Sequence, residues 1–161
     1  MTTNLIVRPI GMVRDVGDTT TIALDPRFAP ALQGLDGFSH LMVIWWFSNC
    51  DNVQDRATLS ENSPYRNAPD TLGVFATRSP MRPNPVAVSC AEVIGIDHDT
   101  ATITLTWLDA DPGTPVLDIK PYTASADRVE DPHTPQGCAH WPGSFEQSGD
   151  FDWASEFTFD N

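Results

Sequence analysis

Residues 40–47, HLMVIWWF, carry apolar side chains at almost every position, so a strand built from them has no face to give to water. An antiparallel strand with one wet face alternates in polarity; one that does not alternate is central in a closed barrel or is covered by a second subunit. Either arrangement demands several partner strands. Period-two alternation, or short apolar runs bounded by turn residues, predicts them near 4–13, 19–25, 72–78, 86–97, 101–108 and 114–119. GIDHDTATITLTWL predicts a hairpin with Asp97, His98 and Asp99 at its turn. Helical patterning is confined to DPRFAPALQGL and GDFDWASEF, and residues 49–71 read as a long polar connection of the kind that tends to carry function. The expected fold is mainly β: a barrel-like single domain with few short helices.

A chain of 161 residues with 40% apolar content is long enough for one domain with its own core. It has no run of about 18 apolar residues, and MTTNLIVRPIGMVR lacks the basic, apolar, small-residue order of a signal peptide. A cytoplasmic protein without a membrane partner is therefore expected. Cys50, Cys90 and Cys138 are odd in number and lack CxxC spacing, and His40, His98, His133 and His140 show no ligand spacing, so neither disulfides nor a metal are expected. The absence of GxG, of a Walker lysine motif and of GxSxG excludes the Rossmann, P-loop and α/β-hydrolase routes to function. The 22 acidic residues outnumber the nine basic ones, for a net charge of −13. Such a field repels polyanions at long range, although a local arginine patch outweighs it at contact distance.

Two stretches carry the chemistry. In GVFATRSPMRPNPVAVS, residues 73–89, Ser79, Arg82 and Asn84 each precede a proline, which pushes them into extended geometry and stiffens the backbone from 79 to 85. An arginine on a stiff backbone grips a carboxylate or phosphate at low entropic cost and with two charge-assisted hydrogen bonds. In WLDADPGTPVLDIKPY, Asp109, Asp111, Pro112 and Gly113 predict a tight acidic turn that exposes backbone amides and carbonyls. Asp118 and Lys120, the only lysine in the chain, lie two apart on the strand that follows and so share a face. An ordinary exposed ion pair is the plain reading of that pair.

These two segments, preceded by GLDGFSHLMVIWWF, resemble the TrmO (TsaA-like) family of S-adenosylmethionine (SAM)-dependent methyltransferases, over most of residues 5–128. The resemblance implies a β-barrel rather than a Rossmann sheet, a homodimer, SAM bound near the subunit interface, and methyl transfer to N6 of threonylcarbamoyladenosine 37 in tRNA. A small-molecule acceptor and a SAM-binding dimer module without catalysis remain alternatives. It further implies cofactor contacts at Arg78 of the ATRS motif, at Ser48 and Asn49, at Val88, and along the turn Asp109, Ala110, Asp111, Pro112, Gly113 and Thr114. Asp118, Lys120 and Tyr122 match its DIKPY and stand as catalytic candidates, with Asp118 or a tyrosine as a possible base. Arg56, Arg66, Arg82 and Asn84 are the substrate-binding candidates. The barrel domain is expected over 1–128, with 129–161 as a C-terminal extension packed on it. The chain departs from typical members at Ser48, where histidine is frequent, and at Pro112, where aspartate is.

Overall fold

A computed structural model of the chain describes residues 5–158. Its strands are β1 (Gly11–Val16), β2 (Thr20–Leu24), β3 (His40–Trp46), β4 (Ser60–Asn62), β5 (Thr71–Gly73), β6 (Val86–Asp97), β7 (Thr102–Leu105) and β8 (Pro115–Pro121). Among the described residues α1 (Val53–Arg56) lies between β3 and β4, and three further single-turn helices, α2 (Ala124–Asp127), α3 (Phe145–Ser148) and α4 (Trp153–Glu156), follow β8. The chain divides into two compact units, one running to Asp51 and resuming over Asn84–Arg128, the other formed by Asn52–Pro83 and Val129 onward. The C-terminal segment thus groups with the long connection that interrupts the barrel.

The first unit is a closed barrel in the order β1-β2-β7-β6-β3-β8. β3, the strand without a polar face, sits between its longest partners: Leu41 to Trp46 pair with Ala91 to Val86 on one side, and Leu41 to Trp45 with Pro121 to Val116 on the other. Closure removes the edges that so apolar a strand would otherwise expose. Leu41, Val43 and Trp45 alternate into the interior, where they join Val13, Ile22, Leu24, Ala87, Ala91, Ile103, Leu105 and Val116 in one core. Trp45 buries its ring there and donates its indole N–H to Ser89 Oγ at 3.0 Å, so a wide aromatic is accommodated without an orphaned donor. β1 meets β8 only through Gly11 and Met12. On its other side Gly11 packs so closely on β2 that a Cβ there would clash with the Ala23 carbonyl oxygen and with Leu24, and only glycine allows β1 and β2 to pair at that point.

The expected hairpin is present: β6 and β7 are joined through 98–101, and Asp97 Oδ1 accepts from the amides of Asp99 and Thr100. Other boundaries differ. The strand expected over 4–13 begins at Gly11 and runs to Val16; among its described residues, 5–10 are not strand, and residue 4 lies outside the described part. The strand expected over 72–78 is cut short at Gly73, because Thr77 returns its amide and its hydroxyl to the Val74 carbonyl and coils 74–76 into a 3-10 turn. DPRFAPALQGL forms a 3-10 helix over Pro26–Leu32, with Asp25 accepting from the Arg27 amide at its start. The connection 49–71 holds α1 and β4, and β4 pairs with β5 as a two-stranded ribbon in the second unit.

In that second unit an aromatic cluster replaces a sheet core. Tyr65 meets Trp141 edge-on at 4.9 Å and lies 5.9 Å from Phe157; Trp153 contacts Trp141, Phe151 and Phe157. At its centre the Glu156 carboxylate, 3% exposed, accepts from His140 Nε2 and from Trp141 Nε1, each at 2.9 Å.

Candidate functional site

The period of two that lines the barrel also sets out its outer face. Partners across adjacent antiparallel strands point the same way, so the register places His40 beside Glu92, Met42 between Cys90 and Lys120, Ile44 between Val88 and Asp118, and Trp46 beside Val86. Val88 and Asp118, 30 residues apart in sequence, therefore flank one isoleucine. Asp118 and Lys120 share their face as their spacing requires, and Lys120 Nζ donates to Asp118 Oδ2 at 2.7 Å. That hydrogen bond and the adjacent carboxylate charge raise the Lys120 pKa, so the ammonium is retained at any physiological pH. Tyr122 continues the same face beyond the strand end: its amide donates to the His40 carbonyl at 2.9 Å and its ring stands edge-on to the His40 ring. Four residues of strand put it roughly 13 Å from Asp118.

At the C-terminal end of β3 two loops converge. Ser48–Cys50 forms a 3-10 turn, and Asn49 Nδ2 donates to Asp111 Oδ2 at 3.3 Å. Asp111 opens a turn with Pro112 and Gly113 at its centre; the Thr114 amide returns to the Asp111 carbonyl at 3.1 Å and Gly113 adopts φ +88°. Proline followed by a positive-φ glycine makes this a type II turn, and a side chain in place of that glycine would be strained. The Gly113 amide and the Thr114 carbonyl both bond Val13 on β1, which pins the turn to the barrel. Asp109, Asp111, Pro112 and Gly113 are exposed, Ala110 is half-buried and Thr114 buried. Ser48, Asn49 and the turn 109–114, expected separately from sequence, thus meet in one place in the first unit. Val88 and Asp118 lie on the adjoining outer face. Asn84, also in this unit, is exposed and precedes β6.

Arg56, Arg66, Arg78 and Arg82 belong to the second unit. Arg56 and Arg66 are exposed, Arg56 at the end of α1 and Arg66 with its amide on the Glu156 carbonyl. Arg78 is exposed between buried Thr77 and Ser79. Arg82 faces the other way. Its Nε donates to the Ser79 carbonyl at 2.7 Å, and its Nη2 donates to the carbonyls of Val74 and Thr77 at 2.8 and 2.6 Å. Three charge-assisted bonds to the loop's own backbone make it the staple of the segment that presents Arg78.

Sequence reasoning missed Tyr65. Burial pushes its phenol pKa up, opposed by a hydrogen bond with the Arg78 backbone, so the aromatic cluster holds the arginine loop through one hydroxyl. Its sequence signal, a tyrosine after a proline in a polar connection, is too common to single out. Among the described residues no helix is long and apolar enough to cross a membrane, and no group of three His, Cys, Asp or Glu residues is placed to hold a metal.

Residues 9–128 match the tRNA-methyltransferase O N-terminal domain. The chain is 34% identical over 128 residues to the tRNA (adenine(37)-N6)-methyltransferase of Escherichia coli K12, covering 78% of this chain and 54% of that one. It is 29% identical over 139 residues to an S-adenosyl-L-methionine-binding protein of Archaeoglobus fulgidus, covering 78% of this chain and 94% of that one. A second A. fulgidus protein, a probable S-adenosyl-L-methionine-binding protein, is 36% identical, but the chain spans only 28% of its length. The crystal structure of TrmO from P. aeruginosa superposes with a TM-score of 0.66 at 29% identity, over 86% of this chain and 64% of that one. The barrel and the two motif segments thus coincide with the matched domain, and the chain belongs to the tRNA-methyltransferase O N-terminal domain family.

Proposed function

We propose that the protein binds SAM and transfers its methyl group to N6 of an adenosine in tRNA, with threonylcarbamoyladenosine 37 as the acceptor. The observation that carries this reading is the junction of Ser48 and Asn49 with the turn 109–114, closed by the Asn49–Asp111 hydrogen bond and bordered by Val88 and Asp118 on the same unit. The donor set fits SAM. Exposed carboxylates at Asp109 and Asp111 accept from ribose hydroxyls, the bent backbone around Gly113 offers groups to an adenine edge, and Val88, 40% exposed, supplies apolar wall. Arg78 is assigned the methionine carboxylate on its exposure and on the family resemblance.

When bound, SAM supplies an electrophilic methyl group on a sulfonium. The chain's own part is alignment of the acceptor nitrogen with that methyl and acceptance of the proton that the nitrogen loses. Asp118 suits the proton-accepting role, because one carboxylate oxygen receives Lys120, which fixes the group in place, and the other remains for an N–H. Lys120 and Tyr122, farther along the same face, are assigned to orienting the acceptor, and Arg56, Arg66 and Asn84 to the RNA.

The relatives described as SAM-binding proteins, one of them matched along 94% of its length, favour a second reading, a binding module without turnover. Two measurements on the same protein separate them. Calorimetry should show saturable SAM binding, and S-adenosylhomocysteine should then accumulate only when tRNA is added. Binding without conversion across tRNA and metabolite pools selects the module, and conversion with a metabolite fraction alone selects a small-molecule acceptor.

A further inference from the structure

The loop that presents Arg78, wholly within the second unit, ties up much of its own backbone. Arg82 takes the carbonyls of Val74, Thr77 and Ser79, Thr77 returns its amide to Val74, and the amides of Ser79 and Met81 go to Thr77 Oγ1 and Ser79 Oγ. The amide of Arg78 bonds outside the loop: it donates to the Tyr65 hydroxyl, and the Arg78 charge bears on the same phenol. That bond fixes the peptide from which the guanidinium extends. An exposed arginine otherwise samples many settings, and apparent affinity falls with the fraction of them that can bind.

Tyr65 is itself held from a distant part of the chain. Its backbone forms an isolated antiparallel bridge with Phe157, and the next amide, that of Arg66, donates to the Glu156 carbonyl at 3.0 Å. Trp141 stands edge-on to the Tyr65 ring at 4.9 Å and anchors its own indole N–H on the Glu156 carboxylate at 2.9 Å. Gly137 packs so closely on Asn67 that a Cβ there would clash with the Asn67 carbonyl, so the contact is backbone on backbone. Gly137, Trp141, Glu156 and Phe157 all lie beyond residues 9–128, the part matched to the family domain, yet they fix the ring whose hydroxyl holds Arg78. We propose that Tyr65, clamped by residues 137–157, is a positioning residue for Arg78, fixing the setting from which its guanidinium takes the carboxylate of SAM. The C-terminal segment thereby sets the affinity for the amino-acid end of the cofactor. The inference rests on the assignment of Arg78 to that carboxylate in the reading above.

The test is calorimetry with two ligands: SAM, and 5′-methylthioadenosine, which keeps the adenosine and the sulfur but lacks the amino-acid end. Tyr65→Phe keeps the ring in its cluster and removes the hydroxyl. It should weaken SAM binding roughly threefold to tenfold, the share of one hydrogen bond, and leave methylthioadenosine binding as in wild type. In an Arg78→Ala background Tyr65→Phe should cost SAM nothing further, because a residue that acts through another is not additive with it. Trp141→Leu, which removes the edge-on support, should repeat the selective loss; if it fails to fold, Tyr65→Phe decides alone. A Tyr65→Phe protein that loses less than about threefold for SAM overturns the proposal. So does an equal loss for methylthioadenosine, or a full additional loss on top of Arg78→Ala, since either marks a merely structural role. A folded Trp141→Leu protein that binds SAM like wild type overturns the part given to the C-terminal segment. If wild type binds no SAM, or Arg78→Ala binds it as well as wild type, the cofactor reading fails and this inference with it; if Arg78→Ala is weakened and Tyr65→Phe is not, only the inference fails.

Discussion

Arg78 and Arg82 stand four residues apart on the same stiffened loop, and the chain uses them differently. Arg82 commits its guanidinium to three backbone carbonyls, while Arg78 lies exposed between two buried neighbours. Their sequence context is similar, since each sits beside a serine or methionine and close to proline, and nothing in it distinguishes a staple from a ligand contact. The distinction arises from the 3-10 turn at 74–76, which brings three carbonyls within reach of position 82. Arg78→Ala should weaken SAM binding by one charge-assisted interaction, about 1.5 to 3 kcal/mol, with the fold intact because the staple remains. Titration calorimetry checks this, and unchanged affinity in the folded variant removes Arg78 from the cofactor.

At the scale of elements, the second unit depends on a buried carboxylate where the first depends on a barrel core. Burial pushes the Glu156 pKa up, but hydrogen bonds from Trp141 and His140, with the charges of His140 and Arg66, outweigh it and hold the value below the ordinary glutamate range. A carboxyl whose pKa is lower in the folded than in the unfolded state stabilises the protein above its unfolded value, and loses that contribution as pH falls through its folded value. Glu156→Gln should therefore lower stability at neutral pH, by about 1 to 3 kcal/mol for the bonds lost at a buried acceptor. The difference from wild type should shrink as the solution is made acidic. Thermal melts followed by tryptophan fluorescence across a pH series measure both, and a gap that persists unchanged in acid contradicts the assignment. Little of this unit is legible in the sequence. β4 and β5 are three residues each, too short for a period to register, and the aromatic cluster joins Tyr65 to residues 141–157 across a long sequence gap. The barrel is legible because its strands are long enough to alternate and because β3, apolar on both faces, admits few neighbours. The start of β1 is not, since Leu5, Ile6 and Val7 read as strand in isolation, although the pairing that defines a strand begins only at Gly11.

For the whole molecule, the outer face of β3 and β6 presents Met42, Ile44, Trp46, Val86 and Val88 on one side of the barrel, more apolar surface than solvent favours. A C2 homodimer is expected to use it; light scattering at micromolar concentration that reports only a 17.7 kDa species contradicts this. The net charge bears on the acceptor. Under the proposed function, an RNA acceptor would approach against a repulsive field and be held by few cations, so its affinity should be weak, and its salt dependence shallow, about 0.7 to 0.9 log units per phosphate neutralised. Replacing Arg56 and Arg66 together by alanine should lower tRNA methylation while SAM affinity holds; wild-type rates in the double variant would place the RNA elsewhere. The most direct test of the central claim follows the methyl group itself. Incubating the protein with methyl-labelled SAM and unfractionated tRNA, then digesting the RNA to nucleosides, should place the label on N6 of the threonylcarbamoyladenosine from position 37. Label that appears only in a small-molecule fraction, or SAM that stays bound and unconverted, would contradict the account.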